Sequence, residues 1–389
     1  MDNLLIICLV LLSTTIFGKI SHAINMPPVV GELLSGVLLG PAILNWLHPN
    51  DLIYIFSDLG VIILMFIAGL ESNLKLLKKY MKPSLTVAVI GVLLPLLSTY
   101  WIGRFFNLNF SSSIFLSIIF VSTSVSISAE ILKEMHALNS SGGITILGAA
   151  VADDVIGIIL LSVVSSLLGT GGNNLFSNHL LLMIVIQIAY FVALVLMIKW
   201  IVPWVFSLLK HYQFESSVVI LALIICFSFA YAAELIGISS ITGAFFAGIA
   251  IAQTNQRKIV DQSLTIIGYD FLIPFFFISV GLEINLNGIE NNLFFFLVLT
   301  ILSVVNKLLG AGIGGYLSGF SISNSFMIGA GMISRGEVAL IIAQMGLSNH
   351  LINNNLYSLA VSAIIMTTLI SPLILRKGIL IQKKKLSHD

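Results

Sequence analysis

Apolar residues run along this chain in thirteen blocks of about 17 to 29 positions, separated by short polar stretches. The blocks cover about residues 4–20, 28–47, 52–70, 84–103, 112–132, 142–168, 180–208, 216–234, 238–254, 266–284, 292–319, 325–347 and 355–376. A helix needs roughly 20 apolar residues to cross a bilayer. Lipid offers no partner to an open strand edge, so each block predicts a helix. The expected fold class is therefore an all-α polytopic membrane protein with 13 transmembrane helices. The polar stretches between blocks are each no longer than roughly a dozen residues, which leaves no room for a soluble regulatory domain.

The basic residues orient these spans, because cytoplasmic loops carry the excess of Lys and Arg. With the N-terminus outside, the inward loops and tail hold Lys19, Lys75, Lys78, Lys79, Lys82, Lys133, Lys210, Arg257, Lys258, Arg376, Lys377, Lys383, Lys384 and Lys385. The outward loops hold only Arg104. An even number of spans breaks this asymmetry. The C-terminus is thus expected in the cytoplasm, and the protein in a plasma membrane, the inner membrane of a bacterium. The first apolar stretch has Asp2 before it and Lys19 after it, with no basic leader, and reads as an uncleaved helix rather than a signal peptide.

Composition agrees. The 389 residues are 58% hydrophobic and 9% charged, against about 25% charged in soluble domains. A net charge of +1 argues against a nucleic-acid surface. Cys8 and Cys226 lie in apolar blocks and read as small core hydrophobes. The seven histidines lie in or near loops without metal-ligand spacing, and no cofactor or enzyme activity is expected.

The chain repeats itself. Gly69-Leu70-Glu71-Ser72-Asn73-Leu74 closes the third block, and Gly281-Leu282-Glu283-Ile284-Asn285-Leu286 closes the tenth, 212 positions later. The same offset relates Gly31 and Gly36 to Gly243 and Gly248. Blocks one to six then correspond to blocks eight to thirteen. A displacement of seven spans inverts the second copy, the inverted-topology repeat of many secondary transporters. The expected organisation is a single transporter unit, with repeat one over 1–170, a linker helix over 180–208 and repeat two over 214–380.

Charge inside the apolar blocks carries the functional reading. Asp153 and Asp154 lie together in the middle of block six, where a charge costs about 2.5–3.5 kcal/mol or more. An intramembrane acidic pair reads first as an ion or proton site. The two side chains point about 100° apart on a helix, so they need not share a role. Lys307, in the middle of block eleven, is the obvious counter-charge. One carboxylate paired to Lys307 and the other free makes a device in which protons and a small cation compete for the same oxygens. Ser122-Thr123-Ser124-Val125-Ser126 interrupts block five, and Ser334-Arg335-Gly336-Glu337-Val338 interrupts block twelve at the offset of 212. Matched interruptions of this kind point to the substrate site, where unwound carbonyls and hydroxyls can hold a cation. Arg335 and Glu337 read as charge-compensating groups at half-helix ends, with Glu130 another candidate partner for Arg335. Glu32 is expected in a vestibule, Glu71 and Glu283 at solvated helix ends, and Lys199 snorkelling at a helix end.

These residues carry a resemblance. Pro28-Val29-Val30-Gly31-Glu32-Leu33-Leu34-Ser35-Gly36, Gly69-Leu70-Glu71, Thr123-Ser124-Val125, Ala152-Asp153-Asp154, Phe277 to Leu282, Lys307 and Gly331 to Glu337 follow in order along almost the whole chain. The pattern resembles the second monovalent cation:proton antiporter family, in particular its short NapA-like sodium/proton antiporters. The resemblance implies the NhaA/NapA-like antiporter fold with crossed discontinuous helices, a homodimer, and an elevator mechanism. In that mechanism a core of about 84–168 and 292–376 moves against a dimerisation scaffold. It implies that Asp154 is the principal carrier of Na+ (or Li+) and protons, that Asp153 pairs with Lys307 when the cation is absent, and that Thr123 and Ser124 flank the site. Any metal bound by Asp154 and Asp153 is then transient Na+, the transported substrate. The two aspartates with a lysine look like the electrogenic type. Relatives with a large cytoplasmic nucleotide-binding domain are disfavoured, since the sequence has none.

The nearest alternative is a K+/H+ antiporter on the same fold. A cation channel and an intramembrane aspartyl protease are remote. For the protease, Tyr269-Asp270 matches half of such a site, but no Gly-x-Gly-Asp partner follows.

Overall fold

The computed structural model describes residues 3–24, 26–167, 180–208, 215–236, 238–283 and 292–386. These residues are helical nearly throughout. In chain order the helices are α1 (Asn3–Ala23), α2 (Pro28–Leu39), α3 (Asp51–Glu71), α4 (Leu74–Lys79), α5 (Met81–Phe105), α6 (Phe110–Ile119), α7 (Val125–Glu134), α8 (Ser141–Leu167) and α9 (Leu180–Leu196). Then come α10 (Val202–Leu208), α11 (Glu215–Leu235), α12 (Ser240–Ala252), α13 (Arg257–Ile267), α14 (Ile273–Leu282), α15 (Leu293–Leu317), α16 (Ile322–Gly331), α17 (Glu337–Ser348) and α18 (Asn354–Leu386). Among the described residues, nine helices or continuous helical runs are long and apolar enough to cross a membrane.

Helix α15 displays the inside-out logic that lipid imposes. Leu293, Leu297, Ile301, Val305, Leu309 and Ile313 recur every fourth residue and are all exposed. The opposite face, with Ser303, Asn306, Lys307 and Gly310, is buried. Helix α5 repeats the pattern, with Leu85, Leu93, Leu97 and Trp101 exposed and Gly91 against Ala311 of α15. A belt of this size is far beyond the few hundred Å² of apolar patch that a water-soluble monomer displays. The chain is an integral membrane protein.

Several elements differ from the apolar blocks for identifiable reasons. Helix α2 stops at Leu39 rather than near 47, because Gly40 and Pro41 turn the chain back; Leu44 N then donates to the Leu38 carbonyl, and Leu47 N to the Leu39 carbonyl. The residue before a proline avoids the helical conformation. The linker block contains a wide π turn at Met197–Ile201 just ahead of Pro203, and a second one at Gly268–Leu272 precedes Pro274. Proline removes one backbone donor and crowds the carbonyl four residues back, and a π turn relieves that clash. Helix α18 runs ten residues past its apolar block, with a lysine-rich end.

Blocks five and twelve are each split in two. Residues 120–124 separate α6 from α7, and residues 332–336 separate α16 from α17. Ser124 N donates to the Ser334 carbonyl at 2.8 Å, so the two breaks lie against each other.

Backbones elsewhere approach as closely as glycine allows. A Cβ on Gly248 of α12 would stand 2.1 Å from the Phe66 carbonyl oxygen of α3, and one on Gly36 of α2 would stand 2.2 Å from the Ile278 carbonyl oxygen of α14. Adding 212 to Gly36 and Phe66 gives Gly248 and Ile278. A side chain at either glycine must push two helices apart, and overpacking of this kind costs about 1–3 kcal/mol. Gly248→Val is therefore expected to lower the melting temperature in detergent markedly, while Gly157→Ala, with nothing within 4 Å of the new methyl, leaves it unchanged. Equal melting temperatures for the two variants would contradict this packing.

Candidate functional site

Splitting a helix releases backbone groups. When α6 ends, the carbonyls of Phe120 and Val121 lose their intrahelical donors, and when α16 ends so do those of Gly331 to Ser334. No water-rich surface is at hand, so each needs a donor from the protein. Arg335 Nη2 donates to the Phe120 carbonyl at 2.8 Å, and Lys307 Nζ donates to the Val121 carbonyl at 2.7 Å. Ser128 Oγ donates to the Gly331 carbonyl at 2.5 Å and Arg335 Nη1 to the Ile333 carbonyl at 3.0 Å, while the Met332 carbonyl lies 3.4 Å from Thr123 Oγ1, whose proton goes to Asp153. The Ser334 carbonyl is held by Ser124 N. Two cations thus stand at the carbonyl end of α6, where the helix dipole favours positive charge. Arg335 also lies over the Phe120 ring, 5.0 Å from its centroid.

Asp153 is bound into this frame. It is fully buried on α8, and its Oδ2 accepts from Lys307 Nζ at 2.5 Å and from Thr123 Oγ1 at 2.7 Å. Lys307 is fully buried as well, so neither partner is solvated. Removing one member of such a pair leaves an uncompensated charge and costs about 3–5 kcal/mol. The Oδ1 atom of Asp153 takes no hydrogen bond from the described residues. Asp154, also buried, faces a different neighbour. Its Oδ2 lies 3.4 Å from Thr242 Oγ1, in the first turn of α12. The 100° between successive helix positions thus sends two adjacent carboxylates to two different environments.

The site therefore gathers Thr123, Asp153, Asp154, Lys307 and Arg335 from α6–α8, α15 and the α16–α17 break. Ser124 contributes mainly backbone, and its hydroxyl bonds Ser126 Oγ at 3.1 Å rather than an aspartate. The Glu337 side chain lies outside the described residues. Thr242 has no forerunner in the sequence reading, because a single threonine in an apolar block looks like helix packing.

The remaining acidic residues fall elsewhere. Glu130 does not meet Arg335, whose guanidinium is committed to carbonyls; it accepts from Tyr269 OH at 2.6 Å. Glu71 pairs with Lys133 at 2.9 Å, and Lys133 lies 4.5 Å from the centre of the Tyr269 ring. Glu283 accepts from Tyr54 OH at 2.8 Å. Glu32 lines a cleft with Lys19, His22 and Thr15. Lys199 stacks near the Trp200 ring.

This arrangement has relatives. Residues 8–377 match the family model described as the transmembrane sodium/hydrogen exchanger. A protein named Na(+)/H(+) antiporter from Enterococcus hirae is 46% identical over 377 residues, which cover 97% of this chain and 98% of the relative. The Na(+)/H(+)-K(+) antiporter GerN of Bacillus cereus is 42% identical, over 95% of this chain and 94% of its own length. Among solved structures, the sodium proton antiporter MjNhaP1 from Methanocaldococcus jannaschii superposes with a TM-score of 0.74 over 96% of this chain and 95% of that one, at 19% identity. That likeness bears on the fold, and the sequence matches bear on the family: the chain belongs to the transmembrane sodium/hydrogen exchangers.

Proposed function

We propose that the chain is a secondary active antiporter that exchanges Na+ (or Li+) for protons, with Asp154 as the exchanging group and Asp153 as the group held by Lys307. The observation that carries this reading is that two adjacent buried carboxylates face different elements, Asp153 the ammonium of Lys307 on α15 and Asp154 the start of α12. Asp153 accepts from an ammonium at 2.5 Å and a hydroxyl at 2.7 Å, while Asp154 meets a hydroxyl at 3.4 Å. A cation arriving at Asp154 brings a positive charge close to Lys307, which weakens the lysine's hold on its proton. Lys307 then releases that proton, and Asp153 is free to turn to the cation. Departure of the cation reverses the sequence. With Asp154 carrying a second proton, two protons move against one cation and the cycle is electrogenic. Names of the 46% and 42% identical relatives point to the same exchange, and the name of GerN adds K+ as a second cation.

The proposed architecture has thirteen spans. Two short helices, α2 and α12, and the two split spans join the nine long ones. The spans form two inverted six-helix repeats, 1–170 and 214–380, about the linker 180–208. In support, the glycine contacts exchange under the offset of 212: Gly36 with Ile278 becomes Gly248 with Phe66, and Gly31 with Phe17 becomes Gly243 with Phe229. The core of 84–168 and 292–376 carries the carboxylates and both cations, and moves as an elevator against a scaffold that dimerises.

Two outcomes test the roles. Asp154→Asn, reconstituted in proteoliposomes, is expected to reduce sodium-driven proton flux to that of empty vesicles while keeping a wild-type melting temperature; retained exchange refutes the role given to Asp154. Lys307→Ala is expected to lose about 3–5 kcal/mol of stability and, where it folds, to transport without moving net charge. A stable variant that still generates a membrane potential contradicts the Lys307–Asp153 pair.

A further inference from the structure

Threonines in these helices mostly hand their hydroxyls back to their own backbone. Thr14, Thr15, Thr86 and Thr145 each donate to the carbonyl four residues earlier. Thr242 does not. It lies in the first turn of α12, is 1% exposed, and directs Oγ1 at Asp154 Oδ2, 3.4 Å away. Its place is fixed from two sides. The next residue, Gly243, is pressed against α11, where a Cβ would stand 2.3 Å from the Phe229 carbonyl oxygen, and Gly248 ties the same helix to α3. The hydroxyl is therefore held in position by backbone packing.

The distance itself is informative. A hydroxyl-to-carboxylate hydrogen bond runs to about 3.0 Å, and this contact is longer. Two neighbouring oxygen ligands of one cation stand farther apart than a hydrogen-bonded pair. For Ca2+, held at about 2.3–2.6 Å, a right angle between ligands separates them by about 3.3–3.7 Å. Na+ is close to Ca2+ in size, and K+ is larger and needs its ligands farther apart. A threonine hydroxyl is donor and acceptor alike, so it can donate to the bare carboxylate and present a lone pair once a cation arrives.

We propose that Thr242 is a cation ligand and a size-selectivity residue, supplying one oxygen beside Asp154 for a small monovalent cation and disfavouring a larger one. This rests on the reading of Asp154 as the exchanging carboxylate. Thr242 stands on a helix outside the proposed core, so its contact with Asp154 must break whenever the core moves. The ligand then belongs to one of the two alternating states and makes cation affinity differ between them.

The test uses the full-length protein in proteoliposomes, with proton flux driven in turn by NaCl, LiCl and KCl. Thr242→Val keeps the shape and removes the oxygen. It is expected to raise half-saturating Na+ roughly tenfold, the weight of one hydrogen bond to a charged group, with the maximal rate within about twofold of wild type and a reduced preference for Na+ over K+. Thr242→Ser restores both. Thr242→Ala serves as a second oxygen-free variant and is expected to match Thr242→Val. Unchanged half-saturation in the oxygen-free variants, or a serine variant as impaired as the valine one, overturns the proposal, since packing alone then explains the residue. Asp154→Asn is measured alongside. If it still exchanges, the reading of Asp154 fails and takes this inference with it. If it is inactive while Thr242→Val behaves as wild type, only this inference fails.

Discussion

Ser124 N–H donates to the Ser334 carbonyl across two interrupted helices, and the centre of the protein depends on that crossing. In a bilayer, an open backbone group cannot turn to water, and leaving it unpaired costs several kcal/mol. Two broken helices are tolerable here because each break supplies donors or acceptors to the other. Ser128 reaches from α7 to the Gly331 carbonyl, and Arg335 reaches from the second break to the Phe120 carbonyl at the first. The crossing therefore explains why two buried cations stand in an apolar protein: they hold carbonyls at the end of α6 as well as a carboxylate.

Lys307 joins those two duties. Its ammonium holds the Val121 carbonyl and Asp153 together, so the carboxylate is tied directly to the helix break. Arg335 contacts no carboxylate oxygen by hydrogen bond and keeps the helix end supplied with positive charge whatever Lys307 does. Lysine and arginine thus hold different groups: Lys307 spans a carbonyl and a carboxylate, whereas Arg335 hydrogen-bonds to carbonyls. Asp154, one position along, faces α12, which is locked by glycine contacts to α3 and α11.

Much of this was legible in the sequence because lipid makes polar residues conspicuous. Asp153, Asp154 and Lys307 stand out in apolar blocks, and Ser122–Ser126 and Ser334–Val338 mark the breaks by their poor helical chemistry. The offset of 212 between Gly36 and Gly248 and between Gly69 and Gly281 was legible as a pattern, but the close helix approach at these glycines was not. Other features were hidden for physical reasons. Periodicity does not distinguish a membrane-crossing helix from a short one ended by Gly40 and Pro41, so α2 looked longer than it is. Arg335 was expected at half-helix ends with Glu130 as a second candidate partner; its guanidinium holds the Phe120 and Ile333 carbonyls, and Glu130 accepts from Tyr269 instead. Ser124 looked like a hydroxyl ligand but acts mainly through its backbone N–H. Thr242 carries no signal of its own, since only the fold brings the start of α12 to Asp154.

The proposed mechanism rests on one carboxylate serving both the cation and the proton. The most direct measurement is the half-saturating Na+ concentration for exchange by the wild-type protein in proteoliposomes, taken across a series of pH values. Competition predicts that it rises as pH falls, approaching tenfold per pH unit for each proton the cation displaces, while the maximal rate stays constant. A half-saturating concentration that holds steady while the maximal rate changes with pH would contradict a shared site.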